Sequence, residues 1–308
     1  MIGRRETFYL ILLHSFNHLF TKLIFPFVNQ KSLSKRRMRV VPPVSSCLQS
    51  SLYFSNFLLW ASGFVLLSIS LWLLLDPAQN FQLELLHFSE NAPLLKFGIY
   101  LMAGTALLML FVGSIGCVGA VKLERFLLGS FILLLLIALL AKLGVIILCI
   151  LHQTKFSDEN MSNYLSNISK NRYNRDRWVL PVMDSVQFYH HCCGGYNFSE
   201  YSESFWYLTN TERGTLPRSC CRQSQEGRAW AIQPIDPLCI QYLPGSRAFN
   251  NSVNIQGCGV PTKNHLDWQI GIVLLTCVLC SLVDLFALCL SLKCLSHVWS
   301  FYSIIDEL

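Results

Sequence analysis

The sequence predicts an all-α membrane protein, a four-transmembrane-helix bundle with a mostly helical, disulfide-stapled large extracellular loop. Two observations predict this fold class. Of the 308 residues, 53% are hydrophobic and only 14% are charged, which is unusual for a soluble globular protein. Six cysteines also lie within residues 192–258, in a polar stretch that has a long apolar run on either side. Cysteine-dense polar segments are typical of domains that disulfides hold together in an oxidising compartment.

Four apolar runs justify the transmembrane part. A bilayer crossing needs about 20 apolar residues, and backbone polar groups in lipid must pair within a helix. The predicted spans are Leu52–Leu75, Phe97–Val121, Phe126–Leu151 and Trp268–Leu292. They leave a cytosolic extension (residues 1–51), a small extracellular loop (76–96), an inner loop (122–125), a large extracellular loop (152–267) and a cytosolic tail (293–308).

Basic residues and glycosylation sequons predict the orientation. Residues 1–51 hold eight Lys or Arg and one acid, whereas residues 76–96 hold one Lys and three acids. Because Lys and Arg favour the cytosolic side of a membrane, both termini are expected in the cytosol. The membrane is expected to be the plasma membrane or an endosomal membrane. All Asn-X-Ser sequons lie in the large loop, which predicts an extracellular glycoprotein segment. The acceptors are Asn160, Asn167, Asn197 and Asn250.

The N-terminal extension is interpreted as a membrane-surface segment. Residues 8–13 form only a short apolar core without a following cleavage site, which argues against a signal peptide. Polar residues recur on one helical face before Pro26, a pattern that predicts an interfacial amphipathic helix. The basic cluster Lys35–Arg39 favours contact with acidic membrane lipids, although an orientation signal explains it equally well.

The large loop combines two predicted helices with a disulfide-held segment. Residues 155–177 carry one apolar stripe, and Val179–Tyr189 reads as a second helix that ends at a Cys-Cys-Gly turn. The six cysteines permit fifteen pairings, and their spacing does not choose among them. Residues 196–258 lack a period and are expected to form recognition loops. His190 and His191 precede Cys192 directly, and neighbouring residues do not converge on a tetrahedral zinc ion, so we expect no metal.

These features together resemble the tetraspanin family. The likeness covers residues 52–295 and includes the order of a small and then a large outer loop. Its motifs are Cys192-Cys193-Gly194, Pro217-Arg218-Ser219-Cys220-Cys221, Gly257-Cys258, residues 54–63 of the first span, and Gly113, Gly116 and Lys122–Arg125 around the inner loop. Residues 238–242 are similar to those of peripherin-like, six-cysteine members. The chain departs from the family in the length of its N-terminal extension and in having Lys142 where the third span usually carries Glu or Gln.

The resemblance implies a disulfide pattern and an intramembrane site. The matching positions would join Cys192 to Cys258, Cys193 to Cys220, and Cys221 to Cys239. Asn56 and Asp284 would face a central intramembrane cavity that accepts a lipid or sterol. No other cofactor is expected.

Lys142 and Asp284 are charged residues within predicted spans, where charge is costly and often functional. Lys142 lies roughly 15 Å from the outer end of its span and Asp284 roughly 24 Å from the same face. This offset argues against direct contact between them, and Lys142 has the alternative of snorkelling to the interface.

Gly113, Gly116 and Ala120 follow a small-residue spacing that favours close helix packing within the bundle.

The cytosolic ends carry candidate modification and sorting sites. Cys47, Cys117 and Cys294 lie near inner span ends, where palmitoylation is expected. Tyr302 and Ile305 form a tyrosine-x-x-apolar motif of the kind that endocytic adaptors read.

The expected function is therefore a non-enzymatic scaffold that laterally organises other membrane proteins, with the large loop selecting partners. The partners would be integral membrane proteins, other tetraspanins and membrane lipids, without nucleic acid. The alternative is a small four-pass transporter or channel, which predicts broken helices and a polar-lined path. No constellation of catalytic residues is present to favour an enzyme.

Overall fold

The computed structural model describes residues 46–87, 94–122, 124–155, 157–209, 214–225, 227–241 and 251–306. The predicted amphipathic segment, the basic cluster and Asn250 lie outside these residues. Within the described residues the chain forms short 3-10 and π turns, isolated β-bridges without strands, and eight α-helices. These helices are α1 Ser46–Leu75, α2 Pro77–His87, α3 Leu94–Lys122, α4 Arg125–Lys155, α5 Asp158–Asn167, α6 Val179–His190, α7 Phe205–Thr209 and α8 Gly259–Asp306.

Four of these helices, α1, α3, α4 and α8, are long and apolar enough to cross a membrane. This finding confirms the predicted fold class. Each helix extends beyond its predicted apolar run, and α8 does so most, with 48 residues. The bundle therefore has one end that carries both loops, the loop end, and an opposite end near residues 46 and 306, the tail end.

The four long helices form a ring in which α1 contacts α3, α3 contacts α4, α4 contacts α8, and α8 contacts α1. Antiparallel neighbours joined by short connections are the usual solution for a four-helix bundle. Leu59, Met109, Leu135 and Ala287, one from each helix, are buried together at its centre. Packing of this kind drives helix association in lipid, where the surrounding tails are as apolar as leucine.

Two of the predicted small residues, Gly113 and Gly116, lie where α3 meets α1. A Cβ atom added to Gly113 would overlap the indole ring of Trp60 on α1. One added to Gly116 would overlap Asn56 Oδ1 and the ring of Phe131. These glycines therefore let α1 approach α3, as expected for packing inside the bundle.

The small loop contains α2, which the sequence analysis did not predict. Asp76 caps this helix, because its carboxylate accepts the Ala78 N–H at 3.0 Å, and Pro77 occupies the first helical position. The buried side chains Phe81 and Leu85 of α2 join the same core as the large loop. The two loops therefore fold against each other.

In the large loop, α5 buries Met161 and Leu165 and continues into a π turn that buries Ile168. The half-buried Tyr164 donates its hydroxyl hydrogen to Leu85 O of the small loop at 2.9 Å. The regular helix ends earlier than predicted, because the chain leaves helical geometry at Tyr173. The second predicted helix is confirmed as α6, which differs from the prediction by one residue.

Candidate functional site

Three disulfides organise the large loop, and all six of their cysteines are buried. They join Cys192 to Cys258, Cys193 to Cys220, and Cys221 to Cys239, with Cα–Cα distances of 5.0, 4.9 and 6.1 Å. These are the partners that the tetraspanin resemblance implies. Each adjacent cysteine pair connects two different segments. The sequence after α6 is tied both to the start of α8 and to Cys220, and the neighbouring Cys221 is tied to Cys239.

Two glycines shape the turn after the first cysteine pair, for different reasons. Gly194 has φ 70°, in the left-handed region that favours glycine. Gly195 lies so close to the α5 backbone at Ser162 and Ser166 that a Cβ would overlap it. The buried Glu200 carboxylate then accepts the N–H of Gly195 at 2.7 Å and the N–H of Tyr196 at 3.0 Å. Sequence analysis missed Glu200, although its distance of five residues from Gly195 suits such a local bond.

A buried polar network joins the helical and irregular halves of the large loop. Tyr173 donates its hydroxyl hydrogen to Asp184 Oδ1 at 2.6 Å, and Gln187 Nε2 donates to Tyr201 Oη at 2.6 Å. Ser219 Oγ lies 2.7 Å from Asp184 Oδ1 and 2.5 Å from Gln187 Oε1. The network thus links α6 to Tyr173 before the helix, to Tyr201 after the first cysteine pair, and to Ser219 beside the second cysteine pair.

Burial sets the electrostatics of this network. It raises the pKa of Asp184 above the usual range of a carboxyl group, and the hydrogen bonds from Tyr173 and Ser219 lower that pKa only in part. Burial also raises the pKa of Tyr201 and Tyr173 well above that of a free phenol. Both phenols therefore stay protonated at any physiological pH.

The described residues between 222 and 235 form a short hairpin, the hairpin segment, after the second cysteine pair. Antiparallel bridges pair Gln223 with Pro234 and Arg228 with Ala231, and Ser224 N donates to Gln233 O at 2.8 Å. The Cys221–Cys239 disulfide closes its base. Trp230 lies in the turn and is 69% exposed, and Ile235 is 67% exposed.

The structure brings Lys142 and Asp284 together, so the prediction that they do not touch was wrong. Lys142 Nζ pairs with Asp284 Oδ2, and both side chains are buried. Lys142 Nζ also lies 3.4 Å from Met109 Sδ. The axial offset is closed because side chains lean towards the N-terminus of their own helix, and α4 and α8 run in opposite directions. The lysine therefore leans towards the tail end and the aspartate towards the loop end.

Asn56 is buried between α1 and α3, away from this ion pair. Its Nδ2 donates to Leu52 O at 2.9 Å, whereas its Oδ1 has no hydrogen-bond partner among the described residues. The adjacent cavity has a volume of about 10 Å³, and Asp284 is not among the residues that line it. This volume suits one water molecule. The helices would have to separate before a lipid or sterol could enter here, so the predicted lipid site stays a prediction.

Comparisons with known proteins agree with the architecture. The family model described as the tetraspanin family matches residues 48–297. The chain belongs to this family. It is 29% identical to tetraspanin-17 of Caenorhabditis elegans, over 85% of the chain and 97% of that protein. It is 28% identical to the CD82 antigen of Rattus norvegicus, over 83% of the chain and 96% of that protein. Family members are generally not enzymes and generally associate with other membrane proteins, and this tetraspanin is a multi-pass integral membrane protein.

Three predicted glycosylation acceptors of this tetraspanin, Asn160, Asn167 and Asn197, are exposed in the large loop. Asn160 and Asn167 both lie on α5, seven residues apart, and therefore on one face of the helix. Asn197 caps the following 3-10 turn with Oδ1, which accepts the Ser199 N–H at 2.9 Å. No structural finding tests glycan attachment, which stays a prediction.

The thiol groups near the tail end differ in accessibility. Cys47 is exposed and Cys117 is half-buried, so both are open to acylation. Cys294 is fully buried with Leu52 and Val298, because α8 turns this position into the bundle. Its palmitoylation stays a prediction. Cys289, a weaker candidate from the sequence because it lies deeper in its span, is exposed.

The proposed sorting motif, Tyr302 to Ile305, lies in the last turns of α8. Nothing in the structure tests adaptor binding. Within the described residues, no group of three or more His, Cys, Asp or Glu side chains is arranged to hold a metal ion.

Proposed function

We propose that this tetraspanin is a membrane scaffold that laterally organises partner membrane proteins into microdomains and regulates their trafficking, adhesion or signalling. The observation that supports this function is the hairpin segment, which exposes Trp230 and Ile235 on a disulfide-closed base. The expected partners are integral membrane proteins and other tetraspanins.

The physical argument is that the hairpin segment exposes apolar side chains whose burial by a partner would be favourable. Removing a side chain such as isoleucine from water is worth roughly 1.5–3 kcal/mol, and tryptophan is among the residues that most often dominate interfaces. Because the disulfides fix the hairpin base, the segment loses less conformational entropy when a partner covers Trp230. Single exposed apolar residues are common, but two of them more than two-thirds exposed on one closed hairpin suit recognition.

We also propose that the large loop lies outside the cell or in the lumen of an endosome, with both termini in the cytosol. The support is the basic excess before α1, the confinement of all sequons to the large loop, and the exposure of three of their asparagines. Palmitoylation at Cys47 or Cys117 would then occur on the cytosolic side and favour lateral clustering.

Crosslinking of intact cell membranes followed by mass spectrometry tests the scaffold function. We expect the variant Trp230→Ser with Ile235→Ser to lose most proteins that crosslink to the wild type. The matched control is Tyr196→Ser, which removes an exposed aromatic residue from the same loop. Non-reducing electrophoresis checks that both variants keep their disulfides. A partner set that is unchanged in the double variant would contradict the role of the hairpin.

Measurement of ion flux in liposomes addresses the alternative function as a channel or transporter. Lys142 and Asp284 neutralise each other within the bundle and offer no repeated charge along a path. We expect no flux above that of empty liposomes. Flux that depends on Asp284 would replace the scaffold proposal.

A further inference from the structure

A continuous series of aromatic and imidazole rings connects the two loops to the bundle. Tyr189 stacks on Phe81 with ring centroids 5.2 Å apart, and Phe81 meets His190 at 5.7 Å. His190 then meets His265 at 5.3 Å. The series ends on two tryptophans, because His265 lies 6.1 Å from Trp268 and Trp268 lies 6.0 Å from Trp72. We call these six residues the ring ladder. They come from α6, α2, α8 and α1, so the ladder spans the junction of both loops with the membrane helices.

Gln79 of α2 fixes the position of His265 in this ladder. Gln79 is buried, and its Oε1 lies 2.9 Å from His265 Nε2 and 2.6 Å from Gln269 Nε2. Because an amide oxygen only accepts, His265 Nε2 carries the hydrogen of this bond. The imidazole of His265 is thus held between a hydrogen bond to α2 on one side and the ring of His190 on the other.

We propose that the ring ladder is a proton-operated clamp, in which proton uptake by His190 and His265 releases the rings of α6 from α2 and from His265, while the Cys192–Cys258 disulfide keeps the end of α6 tied to α8. The clamp holds the large loop against the small loop when both imidazoles are neutral. It acts independently of which partner the hairpin segment recognises.

The geometry explains why protonation opposes docking. Two imidazolium rings with centroids 5.3 Å apart would repel each other. His190 is half-buried between Phe81 and His265, so charging its ring in place also costs hydration. Undocking would return both rings to water, where charged imidazole is well solvated.

The described carboxylates on the elements that carry the ladder already have hydrogen-bond or ion-pair partners. On α8, Asp267 is already paired with Lys263. On α2 and its cap, Asp76 accepts the Trp72 indole N–H at 3.2 Å and the Ala78 N–H. On α6, Asp184 accepts hydrogen bonds from Tyr173 and Ser219. Further titratable side chains are the Tyr189 hydroxyl on α6, the exposed His191 after it, and the buried His152 on α4. None of these three is an anion at neutral pH.

The direction of the pH effect follows from His190. Burial, together with the neighbouring His265 and His191, lowers the pKa of His190 to about 4. The docked state therefore binds fewer protons than the undocked state, in which the pKa of histidine is about 6.5. Docking is complete above that pH and weakens as the pH falls towards 4. At pH 5 the undocked state gains about 30-fold over its share at pH 7.5 from His190 alone.

Hydrogen exchange of the purified full-length protein in lipid nanodiscs tests the clamp, after correction for the pH dependence of chemical exchange. We expect exchange in residues 77–87 and 183–190 to accelerate about 30-fold between pH 7.5 and pH 5.0. His190→Phe keeps a ring and removes the titration, and His265→Gln keeps a donor for Gln79. The double variant should show less than about threefold acceleration.

The matched control is His191→Asn, since His191 lies next to the ladder and has φ 51°, a conformation that asparagine tolerates. This variant should respond to pH as the wild type does. If the double variant fails to fold, His190→Phe alone is used, and it should reduce the acceleration by about tenfold or more. The clamp is overturned if wild-type exchange does not accelerate at pH 5.0, or if the variants without His190 accelerate as much as the wild type.

Discussion

The buried ion pair between α4 and α8 makes a sharp prediction about bundle stability. Substituting Lys142→Met leaves the Asp284 carboxylate without its partner, and Asp284→Asn leaves the Lys142 ammonium without a counter-charge. Breaking one side of a buried pair typically costs about 3–5 kcal/mol. Each single variant should therefore lower the free energy of unfolding by about that amount.

The double variant should be much less destabilised than the sum of the singles, because no unpaired charge remains. We expect a coupling energy of about 3 kcal/mol or more, since most of each single loss reflects the uncompensated charge. The assay is reversible unfolding in mixed detergent micelles, followed by tryptophan fluorescence, for the wild type and the three variants.

The control pair is Arg172–Asp176, four residues apart in the large loop and partly exposed to solvent. Exposed pairs of this spacing contribute only about 0.3–0.5 kcal/mol. A coupling energy for Lys142 and Asp284 within about 0.5 kcal/mol of zero would refute the reasoning. In that case the two charges would reach separate environments in the membrane.

Three further predictions concern the bundle and the large loop. Gly116→Ala should lower the free energy of unfolding by about 1–3 kcal/mol because its Cβ overlaps α1, whereas Gly129→Ala, which has open space, should leave it nearly unchanged. Asp184→Asn should stabilise the protein above neutral pH and match the wild type in acid. The raised pKa of Asp184 means that the folded protein favours the protonated carboxyl, so the wild type loses stability as the pH rises and the carboxyl ionises. The unfolding temperature, measured against pH, checks this. Replacing Cys221 and Cys239 by serine should cost about 3 kcal/mol, the value expected for a short loop, and peptide mapping without reduction should show the other two disulfides intact.

Each of these has a clear contrary result. Equal stability of the two alanine variants would mean that α1 does not approach α3 through Gly116. A stability difference between Asp184→Asn and the wild type that is the same at every pH would exclude titration of Asp184. Peptide mapping that joins Cys193 to a cysteine other than Cys220 would reject the disulfide pattern.

Local patterns in the sequence predicted the elements that depend on neighbouring residues. The four apolar runs and the α6 helix follow from hydrophobic length and period, which need no knowledge of tertiary contacts. The disulfide partners did not follow from spacing, because adjacent cysteines such as Cys192 and Cys193 have equal access to distant partners. Only the family resemblance separated them.

The missed features are those that join distant residues. The depth of Lys142 and Asp284 was measured along the helix axes without the opposite lean of their side chains, so their contact was overlooked. Gln79 and His265 are 186 residues apart in sequence, and nothing local links a glutamine on a short helix with a histidine at the start of α8. The burial of Cys294 likewise depends on which face of α8 meets the bundle.

Because α8 is one continuous helix, it connects the large loop directly to the tail end of the bundle. The helix starts directly after Cys258, whose sulfur is bonded to Cys192 at the end of α6, and it runs without a break to Asp306. At 1.5 Å per residue its length is about 70 Å, more than twice the thickness of a hydrocarbon layer. A movement of the large loop relative to the bundle must therefore also move the C-terminal end of α8. A conformational change on one side of the membrane is in this way transmitted to the other side.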